Sequence, residues 1–348
     1  MGLYFIVFLA SFVIACLSVR ARNNKYLDKY TSSLYIIITL MLCLRFGQGT
    51  DYFTYRTMFY VPWHGEPLYL FLCYIFSRFT DFSIFIAVIS LAEMIMLWGF
   101  IRKRSPNRAV SVMLLMTVIY VTYLCNLVRQ GLALSIFLRF GIDLIERREW
   151  KKYMILCTLT AMIHTVSVVY FLVPVVMKLK ARGIAWSIPL CAIISTMVLR
   201  RFGSGIIPYF GSHPTRYVAA AERMMSFIII YMVYNNMRHK TVDNWIIKLY
   251  CLGTALYFLF LPFSLVASRV AICFKALEIV IVPSLIMERS RYRKILMYYF
   301  FALSVVMFVH NLGAEIDNGG YRKGINAVNF PYVSVFNAND IYNYRRTN

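Results

Sequence analysis

In the stretch "CNLVRQGLALSIF", Arg129 and Gln130 stand at the head of an apolar run. An arginine there is costly to desolvate, and such residues usually face an interior or a wet cavity. Its planar guanidinium matches phosphate oxygens through paired donors. The N-terminus of a following helix adds partial positive charge. The other use of such an arginine is to anchor the helix by reaching to lipid headgroups. His164, in "MIHTVS", lies in a second oily stretch with Thr165 and Ser167 beside it. An apolar setting favours neutral imidazole, the form that accepts a proton near neutral pH. The alternative is a hydrogen bond between helices. Asp51, in "GTDYFTY", suits a general base or a ligand for sugar hydroxyls, or equally a helix cap or Asx-turn. Glu66 precedes Pro67. It either supplies a further carboxylate or simply starts a helix.

These residues sit in a chain that is mostly oil. Of 348 residues, 60% are hydrophobic and 15% charged, with mean hydropathy +0.65. A soluble domain is about a quarter charged, so this chain has too little polar surface to coat a globule of its size. The 37 Lys and Arg against 15 Asp and Glu give a formal charge of +22. They fall in short clusters between apolar runs, the pattern of cytoplasmic loops facing anionic lipid. No basic stripe interleaved with aromatics is present, so no nucleic-acid partner is expected. The eight cysteines lie in apolar runs and form no C-x-x-C. Neither a disulfide framework nor a metal site is expected, and no cofactor motif is present. The P-loop, H-E-x-x-H, G-x-S-x-G and D-x-D patterns are also missing.

Apolar runs cover residues 2–19, 31–44, 82–101, 109–127, 131–145, 153–177, 183–199, 223–237, 245–266, 270–287 and 295–312. Most approach the length of about 20 residues that spans a bilayer. They predict an all-α polytopic membrane protein, one membrane domain over 1–348, with about 10–12 transmembrane helices. The first run has no preceding positive charge and is expected to be a retained helix with its N-terminus outside. Position 6 is Ile, so the myristoylation pattern also fails. Orientation follows from Lys and Arg in the loops. To keep "RKRSPNR" and "KLKAR" inside, residues 68–79 must form a short helix at the outer face. For the same reason 153–177 must form a re-entrant hairpin with His164 at its tip. Arg200 and Arg201 then remain outside as exceptions. The loop 45–67, the joint at Arg129–Gln130, the hairpin tip, the joint at Arg269 and the tail 313–348 all fall on the outer face. Arg45, Arg216 and Arg269 join Arg129 there as candidate anion ligands.

The segment "GTDYFTYRTMFY", then "GEPLYLFLCYIF", "LVRQGLALSIFL" and "MIHTVSVVYFLVP" resemble the EpsG/Wzy-type membrane polysaccharide polymerases. The late "SRVAICFKALEIVIVPSLI" and "NFPYVSVF" fit the same pattern, so the resemblance covers residues 45–336. It implies a glycosyltransferase-type enzyme that joins oligosaccharide units carried on undecaprenyl pyrophosphate, as O-antigen polymerases do. The implied setting is the outer face of the bacterial cytoplasmic (inner) membrane. The implied products are O-antigen, capsule or exopolysaccharide, and the implied partners are lipid-linked donor and acceptor, membrane lipid, a chain-length regulator and a flippase. On that resemblance His164, Asp51 and Glu66 are the catalytic candidates. Arg45, Tyr52, Tyr55, Arg129, Gln130 and Arg269 are the substrate-binding ones, with Arg216 added from its place on the outer face, the tyrosines offering faces to sugar rings. Arginines stabilise the departing pyrophosphate as fixed charges, without metal or nucleotide.

A transporter or flippase of lipid-linked saccharide needs a basic cavity too. It would show internal repeats and access from both faces, and no repeat is seen here. An acyltransferase would use His164 but gives the arginines no pyrophosphate to meet. A structural scaffold explains neither Arg129 nor His164. Cysteines introduced at 49–60 and after Leu312 should react with a membrane-impermeant thiol reagent from outside. Those at 102–108 and 178–182 should not, and external labelling of 178–182 would remove the re-entrant hairpin.

Overall fold

The computed structural model describes residues 1–21, 24–61, 65–199, 217–237, 242–288 and 291–345. Arg200, Arg201 and the candidate ligand Arg216 lie outside the described residues. The chain is helical, and among the described residues the only extended pairings are two isolated bridges, Arg45 with Ser334 and Tyr321 with Arg345. It packs as two compact units, Met1–Thr165 with Tyr298–Asn348, and Val166–Met297. Six helices among the described residues are long and apolar enough to cross a membrane, or seven if a pair bent by 48° is one span. Four shorter apolar helices accompany them. The protein is an all-α, multi-pass membrane protein.

The first unit begins with α1 (Leu3–Arg20), α2 (Lys25–Leu44), α3 (Tyr52–Tyr60), α4 (Pro67–Ser77) and α5 (Phe82–Arg104). Next comes α6 (Arg108–Leu115), which widens into π-helical turns over Met116–Asn126. Then follow α7 (Val128–Ile136), α8 (Ile142–Glu146) and α9 (Trp150–Ile163). The residues 45–67, expected as a polar loop, contain a helix. Tyr52, Tyr55, Met58 and Phe59 recur at helical spacing, and all four are buried in α3. They share one core with Tyr69 and Cys73 of α4, Phe82, Phe85, Ile86 and Ile89 of α5, Val128, Leu132 and Ala133 of α7, and Ile163 of α9. Burial of that apolar face, rather than helix propensity, accounts for so short a helix. A short helix is expected over 68–79; the helix found there, α4, runs Pro67–Ser77 with Pro67 in its first turn.

The two ends of this unit differ. At one end Lys103 and Arg104 meet Asp143 at 2.8 and 2.7 Å, and Arg104 meets Glu146 at 2.5 Å. Arg108 lies 3.7 Å from Asp28. These contacts gather the start of α2, the end of α5, the start of α6 and α8. The other end holds the end of α2, the start of α5, the break between α6 and α7, the end of α9, and both α3 and α4. The 153–177 run is broken: α9 stops at Ile163, His164 is extended (φ −154°, ψ 119°), and a 3-10 stretch begins at Thr165.

The second unit contains α10 (Val173–Lys178), α11 (Ala181–Ile194), α12 (Tyr217–Asn235), α13 (Asn244–Leu259), α14 (Ser264–Lys275) and α15 (Glu278–Met287). The larger part of α16 (Arg293–Asn318) belongs to the first unit. Within the second unit Lys275 pairs with Glu222 at 2.8 Å, with side-chain exposures of 9% and 13%. The Tyr250 hydroxyl donates to Glu278 at 2.8 Å. Removing one partner of a buried pair leaves an uncompensated charge, at a cost of about 3–5 kcal/mol. Lys275→Met or Glu222→Gln alone should therefore lower the melting temperature in detergent sharply. The double variant should recover most of the loss, and two independent, additive losses would show that the pair is not coupled.

Candidate functional site

Glu66 is the centre of the site. It occupies the N-cap position of α4, yet its side chain makes no cap hydrogen bond. The carboxylate turns instead to two other elements. One oxygen is paired with Arg129 Nη1 from the first turn of α7. The other lies 3.1 Å from His164 Nδ1 and accepts the Thr165 backbone N–H at 3.1 Å and the Thr165 hydroxyl at 3.3 Å. Glu66 and His164 are each 13% exposed, and Arg129 is 23% exposed.

The aromatic core fixes Arg129 from the other side. Its guanidinium carbon lies 5.6 Å from the centre of the Tyr55 ring and 5.9 Å from that of Tyr69. Both rings are within the range of cation–π attraction. Gly131, one turn into α7, has no room for a side chain. A Cβ there would fall 2.7 Å from the Tyr123 carbonyl oxygen and 2.9 Å from a Glu93 carboxyl oxygen. That close approach sets α7, and with it Arg129, against α6 and α5.

The electrostatics are those of a shared anion. Burial raises the pKa of Glu66, but the His164 hydrogen bond, the Arg129 charge and the Thr165 N–H outweigh it and hold the carboxyl at about 2. Glu66 is therefore ionised at neutral pH. An ionised carboxylate facing His164 Nδ1 favours the tautomer with its proton on that nitrogen. In the neutral ring Nε2 then carries the lone pair. It is buried and has no hydrogen-bond partner among the described residues.

The structure brings together Glu66, Arg129, His164 and Tyr55 from the residues singled out in the sequence. Asp51 stands at the N-cap of α3, one turn before Tyr55. Gln130 is buried in the first turn of α7. Arg45 and Tyr52 are placed differently from the sequence reading. Arg45 is wholly buried and donates to the Leu42 carbonyl at 2.5 Å, Ser90 Oγ at 2.8 Å and the Leu124 carbonyl at 3.2 Å. It joins α2, α5 and α6 from within instead of offering its guanidinium to a ligand. The Tyr52 ring is buried against Phe46, Phe53 and Phe82, so it has no open face for a sugar. Arg269 belongs to α14 in the second unit. Tyr69 and Thr165 were not singled out as site residues. Tyr69 was signalled by its spacing of three from Glu66, which puts both on one helical face. Thr165 acts partly through a backbone N–H, which no side-chain pattern announces.

A polar cluster of carboxylate, guanidinium and imidazole at one end of apolar helices makes this a polytopic membrane protein with an enclosed polar site. The EpsG family model matches residues 28–332, and the chain belongs to the EpsG family. The family gives it a place in polysaccharide biosynthesis, with a function of the membrane polymerase type. No curated protein and no solved structure matches the chain.

Because the folded pKa of Glu66 is depressed from 4.5 to about 2, its contribution to stability is present in full above pH 4.5. It is lost as pH falls from there toward 2, because the unfolded chain takes up the proton first. After solvent screening it is on the order of 2 kcal/mol. Melting temperature in detergent should fall through that window more steeply for the wild type than for Glu66→Gln. Parallel curves would mean that Glu66 is not held as an ion.

Proposed function

We propose that the protein polymerises oligosaccharide repeat units carried on undecaprenyl pyrophosphate, at the outer face of the bacterial cytoplasmic membrane. The observation that carries this reading is the Glu66 carboxylate, which joins Arg129 to His164 and leaves His164 Nε2 without a hydrogen-bond partner among the described residues. In the proposed step Nε2 takes the proton from an acceptor sugar hydroxyl. That oxygen bonds to C1 of the donor sugar as the bond from C1 to the pyrophosphate oxygen breaks. The electron pair leaves on undecaprenyl pyrophosphate, and the guanidinium of Arg129 offsets the charge. Glu66 holds the imidazole in the right tautomer and stabilises the imidazolium. It needs no proton of its own for that, and its low pKa makes it a poor acid. Asp51, beside Tyr55, is assigned to acceptor hydroxyls. The imidazolium returns its proton to water.

The charges of the first unit support the outer face. The end that gathers Lys103, Arg104 and Arg108 is the end expected in the cytoplasm, where Lys and Arg accumulate. Glu66, Arg129 and His164, on α4, α7 and the end of α9, lie at the opposite end of the same unit.

The test uses purified protein in lipid with a lipid-linked oligosaccharide, with donor binding and turnover measured separately. His164→Ala should abolish turnover and leave donor binding intact. Asp51→Asn, which keeps the shape and one acceptor oxygen, should retain a trace of activity. Arg129→Lys keeps charge but loses the planar fork, so it should impair polymer formation at normal protein level. An active His164→Ala with an inactive Asp51→Asn would exchange the two roles. In cells lacking the protein, a single repeat unit on its lipid should accumulate at the outer face, whereas a unit trapped at the inner face would indicate a flippase.

A further inference from the structure

The short loop between α2 and Asp51, residues 45–50, is gripped from several sides. Phe46 N–H donates to the Val333 carbonyl at 2.9 Å. The Gln48 amide nitrogen donates to the Pro331 carbonyl at 2.5 Å, and its oxygen accepts the Tyr4 hydroxyl at 2.9 Å. Arg345 Nη2 donates to the carbonyls of Gly47 and Gly49 at 2.6 and 3.3 Å. The same guanidinium lies 5.2 Å from the centre of the Phe53 ring and 5.4 Å from that of Tyr321. On the opposite side Glu315 Oε1 accepts Gly49 N–H at 3.0 Å, and Asn126 Oδ1 accepts Thr50 N–H at 3.1 Å. Gly49 holds φ +107°, and a Cβ there would fall 2.6 Å from the Cys125 carbonyl oxygen.

A loop of this length can satisfy its backbone with water at little cost. Here Glu315, 4% exposed and 266 residues away, and Arg345, 298 residues away, do so instead. Burying charged groups is expensive unless they are well bonded, so the arrangement fixes a position that water would leave free. What it fixes is the next residue, Asp51, and through α3 the Tyr55 ring against Arg129. Asn126 closes the circuit, because it ends the π-helical turns that lead into α7. Arg345 also lies beyond the residues matched by the family, 28–332.

We infer that Glu315, Asn126 and Arg345 are positioning residues that hold the 47–50 backbone so that Asp51 meets the acceptor. The inference rests on the polymerase reading above. A group displaced by about 1 Å can cost on the order of 100-fold in rate, so a loosened loop should be felt strongly at the acceptor.

The full chain in lipid is assayed with a lipid-linked oligosaccharide as probe, alongside amide hydrogen exchange. Arg345→Ala and Glu315→Ala should each raise the acceptor KM by about tenfold or more, with donor binding unchanged. Exchange should quicken at residues 47–50 and nowhere else. Glu315→Gln keeps an acceptor oxygen for Gly49 N–H and should restore both exchange and KM. Arg345→Lys, which reaches with a single nitrogen, should fall between Ala and wild type and serves if Ala does not fold. Unchanged exchange at 47–50, or faster exchange throughout the chain together with lost donor binding, overturns the inference. So does a wild-type acceptor KM while His164→Ala is inactive. If His164→Ala is fully active, the polymerase reading fails first; the exchange data then decide whether the loop is held as described.

Discussion

One carboxylate holds the first unit's polar end together. Glu66 receives a guanidinium from α7, an imidazole from the end of α9 and the N–H of Thr165. Each of these donors is poorly placed on its own: a cation against tyrosine rings, a histidine inside an apolar run and an amide at a helix break. A shared anion satisfies all three at once, which is how buried ions are tolerated in a low-dielectric setting. The aromatic core drawn from α3, α4, α5, α7 and α9 supplies the walls. It limits water around the ions, which strengthens their attraction. The same feature that stabilises this end thus prepares an imidazole with one nitrogen spoken for and the other open.

Much of this was legible in the residues themselves. Polar groups stranded in oil are expensive, so Arg129 and His164 stood out without any knowledge of the fold, and a membrane protein built of helices followed from run lengths and charge. Arg45 gave the same signal as Arg129, an arginine at the edge of an apolar run, and the structure uses it differently. Helix ends leave carbonyls unpaired, and Arg45 meets two of them, at Leu42 and Leu124. Sequence cannot tell a guanidinium that serves helix ends from one that serves a ligand. Tyr52 and Tyr55 were equivalent as tyrosines, but three residues of helix place one among phenylalanines and the other beneath Arg129. The helix α3 itself was hidden because half of its buried face is tyrosine, which reads equally well as an exposed aromatic loop.

Long-range pairing was the other illegible layer. Lys275 and Glu222 are 53 residues apart, and Glu315 and Gly49 are 266 apart. Nothing in the local pattern of either member points to its partner. Pairing of this kind emerges only when packing brings two helices together, so it carries information about the fold that periodicity lacks.

The π-helical turns of Met116–Asn126 limit how the chain's length can change. Such turns accommodate one more residue per hydrogen-bonded ring than an α-helix. An α-helix rotates about 100° for each residue. A single-residue deletion within this stretch could relax it to α geometry and improve its local hydrogen bonds. Yet any change of length there alters the rotation and rise that separate Met116 from α7, and Arg129 must keep the face that meets Glu66. The gain in local regularity is therefore closed to this chain, and indels should be confined to the segments between helices that do not lead into the polar end.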